Sequence, residues 1–169
     1  MNNKKFKKAI FYLVLVSIIF ILDRLSKLYI LNLSENSQEV DIYITSFLNL
    51  YLIWNTGVGF GLFSSEQSFF YNLVTALIIF INIIIIFVIM KTKDYKIYFL
   101  LMVLGGSLGN LFDRLYYYAV PDFIDIHYYN FHWFVFNVAD IFITFGIICL
   151  IFDEILLNKD KKEKSSYDE

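Results

Sequence analysis

Four runs of roughly twenty apolar residues, each separated from the next by polar or basic segments, constrain this chain more than any other feature. A helix needs about 20 such residues to cross the hydrocarbon core of a bilayer. Helices and closed barrels are the only folds that satisfy every backbone polar group there. The runs are Ala9–Leu31, interrupted by Asp23, Arg24 and Lys27, then Phe69–Met90, Ile97–Tyr118 and Phe136–Leu157. With 59% hydrophobic residues and one proline, the chain is more apolar than a soluble domain, in which about half the residues are. The pattern predicts an all-α integral membrane protein, a four-transmembrane-helix bundle with spans near 9–31, 69–90, 97–118 and 136–157. One domain is expected over residues 1–158, followed by a charged cytoplasmic tail over 159–169.

Positive charge sets the expected orientation. Lys4, Lys5, Lys7 and Lys8 precede the first run, Lys91, Lys93 and Lys96 join the second to the third, and Lys159, Lys161, Lys162 and Lys164 follow the fourth. Segments 32–68 and 115–135 hold neither Lys nor Arg. The positive-inside rule then places both termini and the 91–96 turn in the cytoplasm and two loops outside. The first run looks like a signal peptide, but Asp23-Arg24 follows it where a small-residue cleavage site would stand, so a retained helix is expected. Cys149, the only cysteine, lies within the fourth run and reads as a packing residue.

The outer segments are not uniformly polar. Val40–Ile44 and Phe47–Ile53 are rich in β-branched and aromatic residues and read as short strands, a small β-rich extracytoplasmic segment. Asn55 to Gly61 holds three glycines, which signals close backbone approach or positive φ. The segment Tyr116–Val135 is aromatic, with Tyr116, Tyr117, Tyr118, Tyr128, Tyr129 and Trp133 suited to the membrane–water interface.

Carboxylates in such surroundings are costly and are retained mostly where they act chemically, move ions or pair. At a rise of about 1.5 Å per residue, Asp23 lies roughly 22 Å beyond Lys8, Asp113 roughly 25 Å beyond Lys96, and Asp140 roughly 28 Å from Lys159. All three reach one level near the outer face, and Asp122 can fold back to it. Asp113 and Asp140 each follow an Asn by three residues, Asn110 and Asn137, and so share a helix face with it. Depth alone pairs Asp113 with Asp140; interhelical polar contact is the structural alternative. Two close carboxylates in a desolvated site share one proton, giving an acid and a base together. A proton relay would need further acidic or His residues at mid-membrane, and Phe69–Met90 has none. His127 and His132 sit in the aromatic segment without a Cys or Glu cluster, so no metal site is expected there. Neither a Ser/Thr nucleophile with a base nor a phosphate-binding or nucleic-acid motif is present.

Five ordered stretches carry a resemblance: Asp23-Arg24-Leu25-Ser26-Lys27, Asn55-Thr56-Gly57 through Gly61, Gly109-Asn110 through Asp113-Arg114, Val120 through Asp122-Phe123-Ile124, and Phe136 through Asp140. Over nearly its whole length the chain resembles lipoprotein signal peptidase, signal peptidase II. The resemblance implies a membrane aspartic endopeptidase that removes the signal peptide of diacylglyceryl-modified prolipoproteins just before the lipidated cysteine. It implies Asp122 and Asp140, not Asp113 and Asp140, as the catalytic pair. Asn55, Asn110, Arg114, Asn137 and Asp23 match positions lining the site, and Asp113 becomes a supporting residue. The expected partners are lipid-modified prolipoproteins and membrane lipids, with no nucleic acid, no cofactor and no metal, for a monomer in the bacterial cytoplasmic membrane with its site near the outer face. The chain departs from the usual pattern at Val58-Gly59, Tyr118, Pro121 and Ile141.

Overall fold

The computed structural model describes residues 3–37, 40–57, 68–129 and 131–157. Four α-helices and one antiparallel sheet follow in the order α1 (Asn3–Ser37), β1 (Asp41–Thr45), β2 (Leu48–Asn55), α2 (Ser68–Lys91), α3 (Lys96–Tyr117), β3 (Val120–Tyr128), β4 (Phe131–Phe136) and α4 (Val138–Phe152). A single π-helical turn, Asp153–Leu157, closes the described part. Each apolar run has become a helix. Two of them, over Asn3–Glu35 and Phe69–Lys91, are long and apolar enough by themselves to cross a membrane. By contrast, α3 carries Lys96, Asp113 and Arg114, and α4 has only 15 residues before the π turn.

The polarity of the bundle is inverted relative to a soluble protein. Large apolar side chains face outward, among them Leu13, Phe80, Ile83, Phe87 and Ile148, while Asp23, Lys27, Asp113 and Arg114 are buried. Contiguous exposed apolar surface of this kind marks contact with lipid or protein. An apolar medium around the helices leaves charged groups no place but the interior, where they must pair.

The sheet is larger than the sequence reading. Its strand order is β1-β2-β3-β4, all neighbours antiparallel. The first two strands fall where β-branched residues predicted them. The other two form from the aromatic segment, because Tyr128 and Phe131 pair as the last rung of a tight hairpin. Tyr129 takes the positive φ of 51° that such a turn requires. Pro121 has no backbone N–H to give, and it lies where β3 has β2 as neighbour but has not yet met β4, whose pairing begins at Ile124↔Phe136.

Two apolar clusters hold the layers together. Ile30, Val40 and Phe123 join α1 to the sheet, and Ile85, Val103 and Leu104 join α2 to α3. Helix α3 ends at Tyr118, whose φ of 59° is the left-handed cap position that favours glycine. Helices α3 and α4 pack closely, and their contact needs small residues. A Cβ at Gly106 would stand 2.5 Å from the carbonyl oxygen of Ala139, and one at Gly146 would stand 2.7 Å from that of Phe99.

Gly106→Ala is therefore expected to force α4 away from α3 and to cost about 1–3 kcal/mol. Thermal unfolding of the detergent-solubilised variant checks this; an unchanged midpoint would refute the close-packing account.

Candidate active site

The site is assembled where α4 begins. Asn137 is extended (φ −126°, ψ −179°) and caps the helix: its side-chain oxygen accepts the Asp140 N–H at 3.2 Å. The Asp140 carboxylate in turn accepts the Asn137 N–H at 3.1 Å. This reciprocal capping box satisfies two donors that the helix start would leave unpaired, and it fixes the Asp140 side chain. The other Asp140 oxygen accepts from the Asn110 amide at 2.8 Å.

Asp122 arrives from a different element, strand β3. Its two oxygens accept from Asn55 at 2.9 Å, across the β2–β3 ladder, and from Asn137 at 2.6 Å. Asn137 thus joins both carboxylates, one through its amide nitrogen and one through its backbone N–H. Asp122 and Asp140 face a single cavity of about 290 Å³, together with Asn55, Asn110, Arg114 and Ser107. Apolar walls come from Ile78, Val120, Phe134, Phe136 and Ile143. A second, mostly apolar groove of about 300 Å³ continues from Asp140 between Phe134, Phe136, Ile141, Phe145 and Ile148.

Burial pushes the Asp122 carboxyl up from its ordinary 3.8 to about 6, and the neighbouring charge of Asp140 pushes in the same direction, against the hydrogen bonds from Asn55 and Asn137. Arg114 is buried against the Tyr71 ring at 5.6 Å, and the Tyr71 hydroxyl donates to the Arg114 carbonyl oxygen. The Arg114 Nη1 group is buried with no protein acceptor.

The residues singled out from sequence separate into two groups. Asp122, Asp140, Asn55, Asn110 and Arg114 line the cavity, and Asn137 lies fully buried beneath it. Asp23 and Asp113 stand behind them in an ion network. Lys27 bonds Asp23 at 2.8 Å, Asp113 at 2.6 Å and Asn110 at 2.8 Å, and Arg24 contacts Asp113 at 2.5 Å. The pairing of Asp113 with Asp140 that depth suggests is thus not the geometry: Asp113 is held by cations, and Asn110 turns from its helix neighbour to Asp140. Lys27 is the residue the sequence reading undervalued. Its position four residues after Asp23, the spacing of neighbours on one helix face, was the available signal.

The family model for signal peptidase (SPase) II matches residues 15–156. A lipoprotein signal peptidase of Pelagibacter ubique (strain HTCC1062) is 52% identical over 166 residues, covering 98% of this chain and all of that protein. That of Anaplasma phagocytophilum (strain HZ) is 37% identical over 152 residues, covering 88% of this chain and 94% of the relative. A solved bacterial membrane enzyme has the same fold, with a TM-score of 0.68 and 24% identity over 89% of this chain and 90% of that one.

The Asp122 value fixes the sign of one pH effect. A carboxyl that holds its proton to about pH 6 when folded, but only to about 3.8 when unfolded, makes folding take up a proton between those values. Its contribution to stability therefore falls as pH rises from about 4 to about 6. Melting temperatures across that range should decline less steeply for Asp122→Asn than for the parent; equal slopes would show that Asp122 titrates normally.

Proposed function

The chain belongs to the signal peptidase II family, and on that premise we propose that Asp122 and Asp140 are the catalytic pair with which it removes signal peptides from prolipoproteins. The observation that carries the assignment is their convergence, from a strand and from a helix start, on one cavity with a shared Asn137 beneath. The pair holds one proton. One carboxylate takes a proton from water, whose oxygen adds to the scissile carbonyl carbon while the protonated partner gives its proton to the carbonyl oxygen. The carbon–nitrogen bond then breaks as a proton passes to the departing amine, leaving a new carboxylate and a free amino terminus. Burial raises the Asp122 carboxyl, which favours one proton held between the two acids.

Arg114 and Asn55 border the same cavity, and the unpaired Arg114 Nη1 is suited to a substrate carbonyl, so that the bond is fixed against the carboxylates. Asn110 and Asn137 position the carboxylates, and Asp23 and Asp113 act through Lys27. The apolar groove between Phe134, Phe136 and Phe145 suits the acyl chains of a diacylglyceryl cysteine, the residue before which cleavage falls. Exposed Trp54 packs on Tyr117 at the edge of the site. The glycine-rich stretch after Asn55, with Phe60, Leu62 and Phe63, falls largely outside the described residues.

All four helices are read as membrane spans of one domain over 1–158, with both termini in the bacterial cytoplasm and the site at the outer face. Supporting this, Lys7 and Lys8 share a cavity with Lys93 and Tyr95, and Lys96 pairs with Asp153 beyond α4, so two Lys-rich segments and the far end of α4 meet at the end opposite the carboxylates. The tail 159–169 lies outside the described residues.

Asp122→Asn and Asp140→Asn are each expected to lower cleavage of a lipidated prolipoprotein by about 10²–10⁴-fold, with the protein still folded and inserted. Near-parental turnover by either would remove that carboxylate from the pair. For topology, single cysteines at Tyr43 and Lys93 in a Cys149→Ala background are probed with an impermeant maleimide. Tyr43→Cys should react on intact cells and Lys93→Cys only after lysis; the reverse pattern would invert the protein.

A further inference from the structure

On strand β3, Asp125 and His127 are two residues apart, and His127 pairs directly with His132 of β4 across the hairpin. Directly paired residues of an antiparallel ladder share a face. A register irregularity lies between Asp125 and His127, and such bulges re-aim side chains. The outcome is a cluster: one ligand atom from each of Asp125, His127 and His132 lies within 4.8 Å of the others. The two imidazoles stack with centroids 5.2 Å apart and planes 27° apart, so they offer their edges side by side. His132 Nδ1 is 2.8 Å and His127 Nδ1 is 3.8 Å from the same Asp125 oxygen.

The bonding around the cluster is incomplete in a particular way. Asp125 Oδ1, His127 Nδ1 and Asn49 Oδ1 are all buried without a hydrogen-bond partner. Asn49 is the β2 residue directly opposite Asp125, so three unpaired buried polar atoms lie on one stretch of sheet. Buried polar atoms seldom go unpaired, since each costs about 1–3 kcal/mol. The His127 side chain is only 9% exposed, whereas that of His132 is 58% exposed. A cavity of about 390 Å³ opens beside Asp125, Asn49 and His132 and is bordered by a second carboxylate, Asp41. It gives the cluster a path to solvent.

We propose that Asp125, His127 and His132 form a binding site for one divalent transition-metal ion of the zinc class. Two imidazole nitrogens and a carboxylate are a recognised zinc donor set, with a fourth position left for water or another oxygen donor. Donors on one tetrahedral ion, bound at about 2.0–2.2 Å, stand roughly 3.3 Å apart. The 2.8 and 3.8 Å separations bracket that value, so small side-chain rotations seat the ion. His132 gives up its contact to Asp125 as both turn to the metal. The site is separate from the Asp122–Asp140 cavity, whose lining includes none of the three ligands. Bound metal would clamp β3 to β4 three residues beyond Asp122.

The test uses full-length protein without a His tag in detergent micelles, titrated with Zn²⁺ after chelator treatment. One equivalent should bind and raise the thermal midpoint, and His132→Asn, at an exposed position, should weaken binding by at least about tenfold and abolish the thermal shift while folding normally. With Cu²⁺ as probe, electron paramagnetic resonance should show two coupled nitrogens in the parent and one in His132→Asn. The doubly substituted Asp122→Asn, Asp140→Asn protein should retain the full equivalent. No stoichiometric binding by the parent, equal binding by His132→Asn, or loss of binding in the double variant would each overturn the proposal.

Discussion

A fully buried lysine holds this structure together. Lys27 of α1 places its ammonium between Asp23 of its own helix, Asp113 of α3 and the Asn110 side-chain oxygen. Withdrawing an ammonium and two carboxylates from water costs several kcal/mol per ion, offset only where geometry and hydrogen bonds are nearly complete. Here Arg24 adds a second cation on Asp113, so two acids face two bases and the buried charge cancels. The second Asp23 oxygen accepts the Ala139 N–H at 3.0 Å, inside the first turn of α4. One network thus ties α1, α3 and α4 at a single level, and its loss would leave charges stranded in an apolar surround.

The same network sets the site. Lys27 takes the oxygen of Asn110, which fixes the orientation of that amide, and its nitrogen then reaches Asp140. Asp23, by holding Ala139, fixes the backbone next to Asp140. Neither acid needs to enter the cavity to matter there. Replacing one partner of a buried charge pair typically costs about 3–5 kcal/mol, so under the proposed assignment a loss of activity at Asp23, Lys27 or Asp113 would reflect a misplaced pair, whereas a loss at Asp122 or Asp140 with the fold intact would reflect chemistry.

Helix positions were legible because apolar runs of span length have few other outcomes, and strands β1 and β2 because their β-branched residues are bounded by turn signals. Strands β3 and β4 were not. Their aromatic residues fit an interfacial loop equally well, register irregularities interrupt their alternation, and Pro121 argues against a strand unless its partial pairing is known. Missing the hairpin also hid the meeting of His127 with His132, which depends on register alone. Depth arithmetic brought the carboxylates to one level but could not say which way each pointed. Asp113 and Asn110 lie one helical turn apart, yet one is held by Lys27 and Arg24 and the other bridges Lys27 to Asp140.

Short amides explain why the helices must come so close. Asn55, Asn110 and Asn137 each reach a carboxylate with a side chain one methylene shorter than glutamine, so the backbones carrying them have little room to separate. Gly109 lies against the Asp23 carboxylate, where an added Cβ would stand 2.5 Å from its oxygen, and Gly106 lies against Ala139. These glycines are spaced on the α3 face that also presents Asn110. Small residues allow the approach, the approach lets the asparagines span it, and the asparagines hold two carboxylates at one cavity. The meeting of the two carboxylates at one cavity is therefore a consequence of helix packing as much as of the two acids themselves.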